Sequence, residues 1–127
     1  MSRAKKPDLD VRNARIDADM TTDEYNDAVM AAMTEAEFQG WIVRLAIAHG
    51  WQRELIYHTH DSSKSQRGFP DLVLVKGRKV RFWELKVKPN TASIAQAEWI
   101  DVLRAAGMDA AVLYPEQWEW IQVELAA

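Results

Sequence analysis

The chain alternates between stretches with an apolar residue every three to four positions and stretches with one every second position. "TEAEFQGWIVRLAIAHG" places Phe38, Ile42 and Leu45 at i, i+4 and i+7, with Trp41 widening the stripe. That period predicts a helix capped by Thr34 and ended by Gly50. "TTDEYNDAVMAAM" predicts a shorter helix ahead of it, with Thr21 or Thr22 as cap. A strand is expected from about Glu54 to His58. The polar "DSSKSQRG" predicts a loop. "PDLVLVK" and "KVRFWELKV" flank Gly77-Arg78 and predict a tight hairpin. "SIAQAEWIDVLRAAG" predicts a second long helix that buries Ile100 and Leu103 and stops at Gly107. "DAAVLYP" predicts a strand, and "QWEWIQVEL" another.

This order is α-β-β-β-α-β with a short final strand. The hairpin is antiparallel, whereas a strand–helix–strand crossover requires parallel neighbours. The expectation is an α/β fold, a mixed central sheet flanked by helices. Residues 1–32 read as a partly disordered polar tail that carries the short helix. Residues 33–127 read as the folded domain.

Composition narrows the picture. With 127 residues and no cysteine, the chain supports one core without disulfides or thiolate metal sites. No apolar run approaches the length of a membrane span, and the first residues lack the apolar stretch of a signal peptide. These features predict a cytoplasmic protein that does not contact a membrane. The net charge of −3 argues against non-specific coating of nucleic acid. Its distribution is uneven. Lys64 to Lys88 holds eight basic residues and two acidic ones, Asp71 and Glu84.

Those two acids carry the candidate chemistry. Side chains alternate along a strand, so Val80, Phe82, Glu84 and Lys86 share a face that turns from apolar to charged. Folding the hairpin at Gly77-Arg78 brings Asp71 opposite the Glu84–Lys86 end. Adjacent carboxylates repel, and a hard cation such as Mg²⁺ relieves them. A lysine has no lone pair for a metal but can hydrogen-bond a water and stabilise charge on a phosphate. The combination points to metal-assisted phosphodiester hydrolysis. The plainer reading is a surface ion pair of Glu84 with Lys86, with Asp71 capping a turn.

"GFPDLVLV" followed by "FWELK" resembles the motif of the PD-(D/E)XK nucleases. With "TEAEFQ", "GWQRELIYHTH" and "IAQAEWIDVLRAAG", the stretch from about Met33 to Leu125 resembles the small stand-alone VRR-NUC domains of phages and bacteria. The resemblance implies a restriction-endonuclease-like core. It implies that Asp71 and Glu84 bind Mg²⁺ or Mn²⁺ with the backbone carbonyl of Leu85, and that Lys86 assists the water. All three motif side chains are intact. Relatives carry a glutamate at the position of Glu35, which lies three residues before Phe38 and so on the stripe read as buried. Either it caps the helix or it reaches the metal site, and the resemblance favours the second. Glu37 is expected to be solvated. Gln96 completes a capping box with Ser93 and faces inward. The resemblance adds a role in orienting water or phosphate.

His58 and His60 share a strand face at a spacing that suits Zn²⁺, but His49, on another element, is the sole remaining imidazole. DNA phosphates are the better partners for Tyr57, His58, His60, Ser62, Ser63, Lys64 and Arg67. The resemblance implies a DNA endonuclease that leaves a 5′-phosphate and a 3′-hydroxyl. It further implies a branched-DNA substrate in the manner of Holliday-junction resolvases. Symmetrical cutting then calls for a homodimer, with Trp118 and Trp120 on the late strand as a candidate interface. The alternatives are a nuclease of flaps, nicks or duplex DNA, and a DNA-binding protein that kept the fold without turnover. A phage-encoded member would work in the host cytoplasm.

Overall fold

The computed structural model describes residues 20–59 and 66–127. Helices α1 (Thr22–Ala31) and α2 (Glu35–Ala48) come first. A short 3₁₀ turn, Arg53–Leu55, leads into β1 (Ile56–His58). The hairpin follows as β2 (Leu72–Lys76) and β3 (Lys79–Leu85). Then come α3 (Ile94–Ala105), β4 (Asp109–Leu113), a second 3₁₀ turn at Pro115–Gln117, and α4 (Trp118–Ala126).

Sheet order is β1-β2-β3-β4. The first two pairings are antiparallel, and β3 pairs with β4 in parallel, joined by α3 as a crossover. The α/β fold with a mixed sheet flanked by helices is therefore the one expected from the pattern.

The two long helices start where their caps dictate. Thr34 Oγ1 accepts the Glu37 N–H, and the Glu37 carboxylate accepts the Thr34 N–H. Ser93 and Gln96 form the same reciprocal pair. Each satisfies amide groups that the first turn of a helix leaves open. Glu37 is thus a half-buried capping residue, not a solvated one.

The core lies on one face of the sheet. Leu72, Leu74, Trp83, Leu85 and Leu113 meet Phe38, Trp41, Ile42 and Leu45 of α2, together with Trp51. Helix α3 covers the opposite face, where Phe69 sits edge-on to both Phe82 and Trp99.

The final segment departs from expectation. "WEWIQVELA" is a helix rather than a strand. Trp118 and Trp120 suggest alternation, but Ile121 and Leu125 stand four residues apart, and both are fully buried in the core. Burying each contributes about 1.5–3 kcal/mol. A strand would bury Val123 on the same face, whereas a helix turns it outward, and Val123 is 67% exposed. Trp51 Nε1 donates to the Leu125 carbonyl at 2.8 Å and pins the helix down. The tryptophans are consequently not a strand pair. Trp118 packs against the core, while Trp120 is 45% exposed, with its ring 6.3 Å from that of Trp83.

Candidate active site

The hairpin register pairs Leu72 with Trp83, which sets Asp71 beside Glu84 at the open end of the sheet. Asp71 is held from both sides. Its carbonyl accepts the Thr59 N–H at 2.8 Å, and the Thr59 hydroxyl donates to the Pro70 carbonyl at 2.7 Å. Its Oδ2 accepts the Leu85 N–H at 2.8 Å. The Asp71 carboxylate is thereby tied to the strand that carries Glu84.

The approach to Asp71 is clamped onto α3. Gly68 has φ +84°, and a Cβ there would lie 2.6 Å from the Ala95 carbonyl carbon. Only glycine tolerates both that backbone conformation and that approach. Trp99 Nε1 donates to the Arg67 carbonyl at 3.2 Å, and the Phe69 and Trp99 rings meet edge to face with centroids 5.1 Å apart.

Glu84 is 1% exposed. Its Oε1 accepts from Gln96 Nε2 at 2.8 Å, and Lys86 Nζ lies 3.9 Å from the same oxygen. Its Oε2 is buried without a partner. Burial pushes its pKa up from the ordinary 4.5 to about 8, the Asp71 charge adds to the rise, and Lys86 opposes it. An unpartnered buried carboxylate oxygen is costly, and a second carboxylate beside it raises that cost.

This arrangement fits a hard divalent cation. Glu84 Oε2 and the Asp71 carboxylate offer oxygen ligands, and a cation between them would remove the repulsion. Leu85 enters the site through its backbone, its N–H already engaged by Asp71.

Glu35 does not join them. It is exposed in the first turn of α2, and among the described residues no group of three or more His, Asp or Glu side chains is arranged around a metal site. The spacing from Phe38 suggested burial. However, Glu35 directly follows the cap Thr34 and is exposed, and capping falls to Glu37.

Gln96 makes the expected capping contact and also reaches Glu84, a contact that was not expected. Its Oε1 accepts the Ser93 N–H at 2.8 Å while its Nε2 serves Glu84. The cap therefore fixes which end of the amide faces the carboxylate.

Of the expected DNA contacts, Arg67 is exposed just ahead of Asp71, and His58 ends β1 half-buried. His60, Ser62, Ser63 and Lys64 lie outside the described residues. Part of the basic stretch is engaged within the protein. Arg81 is buried and paired with Asp109 and Glu124. Lys76 donates to the His49 carbonyl at 2.8 Å and lies over the Trp51 ring. Lys88 pairs with Glu116 at 3.6 Å.

Three positioning residues escaped the sequence reading. Thr59 bonds the Pro70 and Asp71 carbonyls and Trp99 bonds the Arg67 carbonyl ahead of them, contacts with no sequence signature. Gln39 reaches His58, and its signal was only a polar residue next to the buried Phe38.

The profile of the VRR-NUC domain matches residues 7–117. The chain belongs to the VRR-NUC family of nuclease domains. The match begins ahead of Met33, takes in α1, and ends before α4. A solved structure described as a VRR_NUC domain protein superposes with a TM-score of 0.54 at 23% identity, covering 64% of this chain and 77% of that one. That likeness concerns the fold. No curated protein sequence matches the chain. Among the described residues no helix is long and apolar enough to cross a membrane.

Proposed function

We propose that this VRR-NUC protein is a metal-dependent DNA endonuclease that cuts branched DNA as a homodimer. The observation that carries the reading is the buried, unpartnered Oε2 of Glu84 beside the Asp71 carboxylate. A side chain so placed destabilises the empty site, and a cation is the simplest chemical remedy.

Asp71 and Glu84 would hold Mg²⁺ or Mn²⁺, with the Leu85 carbonyl as a further oxygen donor. When bound, the ion supplies positive charge against the phosphate and makes a water more acidic. Gln96 keeps the Glu84 carboxylate in one orientation. Lys86 Nζ lies 3.9 Å from Glu84 Oε1. Its ammonium orients the attacking water and meets charge as it develops on the phosphate. In-line attack would leave a 5′-phosphate and a 3′-hydroxyl. Arg67 and the polar segment before it are suited to the backbone on either side.

Support for branched DNA is the family resemblance, and support for the dimer is symmetry. A four-way junction offers two equivalent strands, and one domain carries one site.

Labelled junction, flap and duplex DNA, each with and without Mg²⁺, test the reading. Junction cleavage that requires metal is expected. A cruciform-extruding plasmid reports pairing of the two cuts: linear product is expected, and sedimentation should give a dimer. A monomer that yields mainly open circles would overturn the resolvase reading in favour of a flap or nick nuclease. Binding without cleavage under any metal would favour a non-catalytic protein.

A further inference from the structure

The face of the sheet that carries Asp71 and Glu84 continues to Tyr57. Tyr57 pairs with Val73, and Val73 pairs with Phe82. Phe82 lies two residues before Glu84, so all of these share the face turned towards α3. Ile56 and His58 turn to the opposite side, towards α2. The Thr59 N–H bonds the Asp71 carbonyl at 2.8 Å, which carries the same register on by one pair. Tyr57 is therefore a diagonal neighbour of Asp71, roughly 7–8 Å away across the two strands.

Helix α3 sits over the other half of this face. It packs on β3 and β4, and its Gln96 reaches Glu84. Strand β1 forms the far edge of the sheet. There Tyr57 is 62% exposed, and Val73 and Val75 are half-buried.

Charge and apolar area are separated on this surface. Lys86, and Arg67 ahead of Asp71, stand at the carboxylate end, whereas Val73, Val75 and Tyr57 carry no charge. With α3 on one side, a strand whose phosphate lies at Asp71 and Glu84 has the apolar half on the other side for its next sugar and base. A tyrosine ring gives any base a flat surface to stack on, whatever the sequence. In a continuous duplex both faces of each base are covered by its neighbours. An unpaired nucleotide has a face to offer.

We propose that Tyr57 is the surface on which an unpaired nucleotide stacks next to the phosphate that is cut. Tyr57 is then the residue by which the site favours branched or flapped DNA over continuous duplex. The proposal rests on the nuclease reading and names the feature of the substrate that the site recognises.

Binding is followed by anisotropy in EDTA, on a flapped duplex and on continuous duplex of the same sequence. Tyr57→Ala should weaken binding to the flap by about five- to 100-fold, the range for one base on an aromatic ring, and to the duplex by no more than about twofold. Tyr57→Phe should bind as wild type does, and the log–log salt slope should be the same in both variants, since no phosphate contact is lost. Wild-type protein should quench 2-aminopurine placed at the first flap nucleotide, and Tyr57→Ala should not. Equal losses on flap and duplex, a loss in Tyr57→Phe that matches Tyr57→Ala, unchanged flap affinity in Tyr57→Ala, or no quenching by wild type would each overturn the proposal. Wild-type protein that neither binds nor cuts DNA with Mg²⁺ or Mn²⁺ would remove the nuclease reading as well. Metal-dependent cleavage whose preference for flap over duplex survives Tyr57→Ala removes this proposal alone.

Discussion

Gln96 Nε2 donates to Glu84 Oε1 at 2.8 Å while Gln96 Oε1 accepts the Ser93 N–H at the same distance. One side chain thus caps α3 and orients a buried carboxylate. Gln96→Leu should lower cleavage by roughly tenfold or more and cost about 1 kcal/mol of stability through the lost cap. Kinetics and thermal melts on the same sample separate the two effects. Full activity in this variant would contradict the orienting role.

The two carboxylates should differ in what they do to the metal-free fold, though losing either should abolish cleavage. Glu84→Gln keeps the shape and removes the cost of keeping this carboxyl protonated in the folded state above about pH 4.5, so the melting temperature in chelator should rise at neutral pH. Asp71→Ala strips the Leu85 N–H of its acceptor, so it should lower stability by about 1–3 kcal/mol. Melts of both variants in EDTA check the opposite signs.

Stability of the metal-free protein should depend on pH through Glu84. Its pKa is raised on folding from 4.5 to about 8. Between those values the unfolded chain has released the proton while the folded protein retains it. The contribution is therefore fully present below about 4.5, falls as pH rises, and is exhausted above about 8. Glu84→Gln should lack this component. The wild-type minus variant difference in unfolding free energy across pH is the measurement.

Lys86→Ala should reduce cleavage by about 100-fold or more and leave Mn²⁺ affinity within roughly threefold. Calorimetry with Mn²⁺ distinguishes the two. A large loss of affinity would mean that the ammonium organises the carboxylates rather than the water.

Gly68→Ala combines a left-handed backbone with a Cβ placed against the Ala95 carbonyl carbon. A destabilisation of at least ~2 kcal/mol is expected. The strain should also move Asp71, so cleavage should fall even where the protein remains folded. Chemical denaturation and a rate measured well below the unfolding midpoint test both effects.

The hairpin was legible because its signals are local. Turn residues at Gly77-Arg78 fix the register, and strand alternation then sets Asp71 next to Glu84. Helix α4 was misread because Trp118, Trp120 and Ile121 also suit a strand. The deciding fact is the cavity that Ile121 and Leu125 fill, which belongs to distant parts of the chain. The burial expected of Glu35 from its spacing to Phe38 failed for a related reason, since Glu35 is exposed. Periodicity gives a residue's angle around a helix but not which distant segments cover that angle. Arg81 looked like one of several surface cations. Its partners, Asp109 and Glu124, come from segments far along the sequence. Gln96 was legible as an inward-facing cap residue, but its contact with Glu84 joins a helix to a strand and has no local signal.

The bond from Trp51 to the Leu125 carbonyl has a temporal meaning. During synthesis the hairpin with Asp71, Glu84 and Lys86 emerges from the ribosome long before α4 does. The nascent chain therefore holds its reactive groups while the core still lacks Ile121 and Leu125, and Trp51 still lacks its acceptor. Closure waits on contacts of high sequence separation, the slowest kind to form. The domain completes itself from its far end, with the chemical groups made first and their rigid support last.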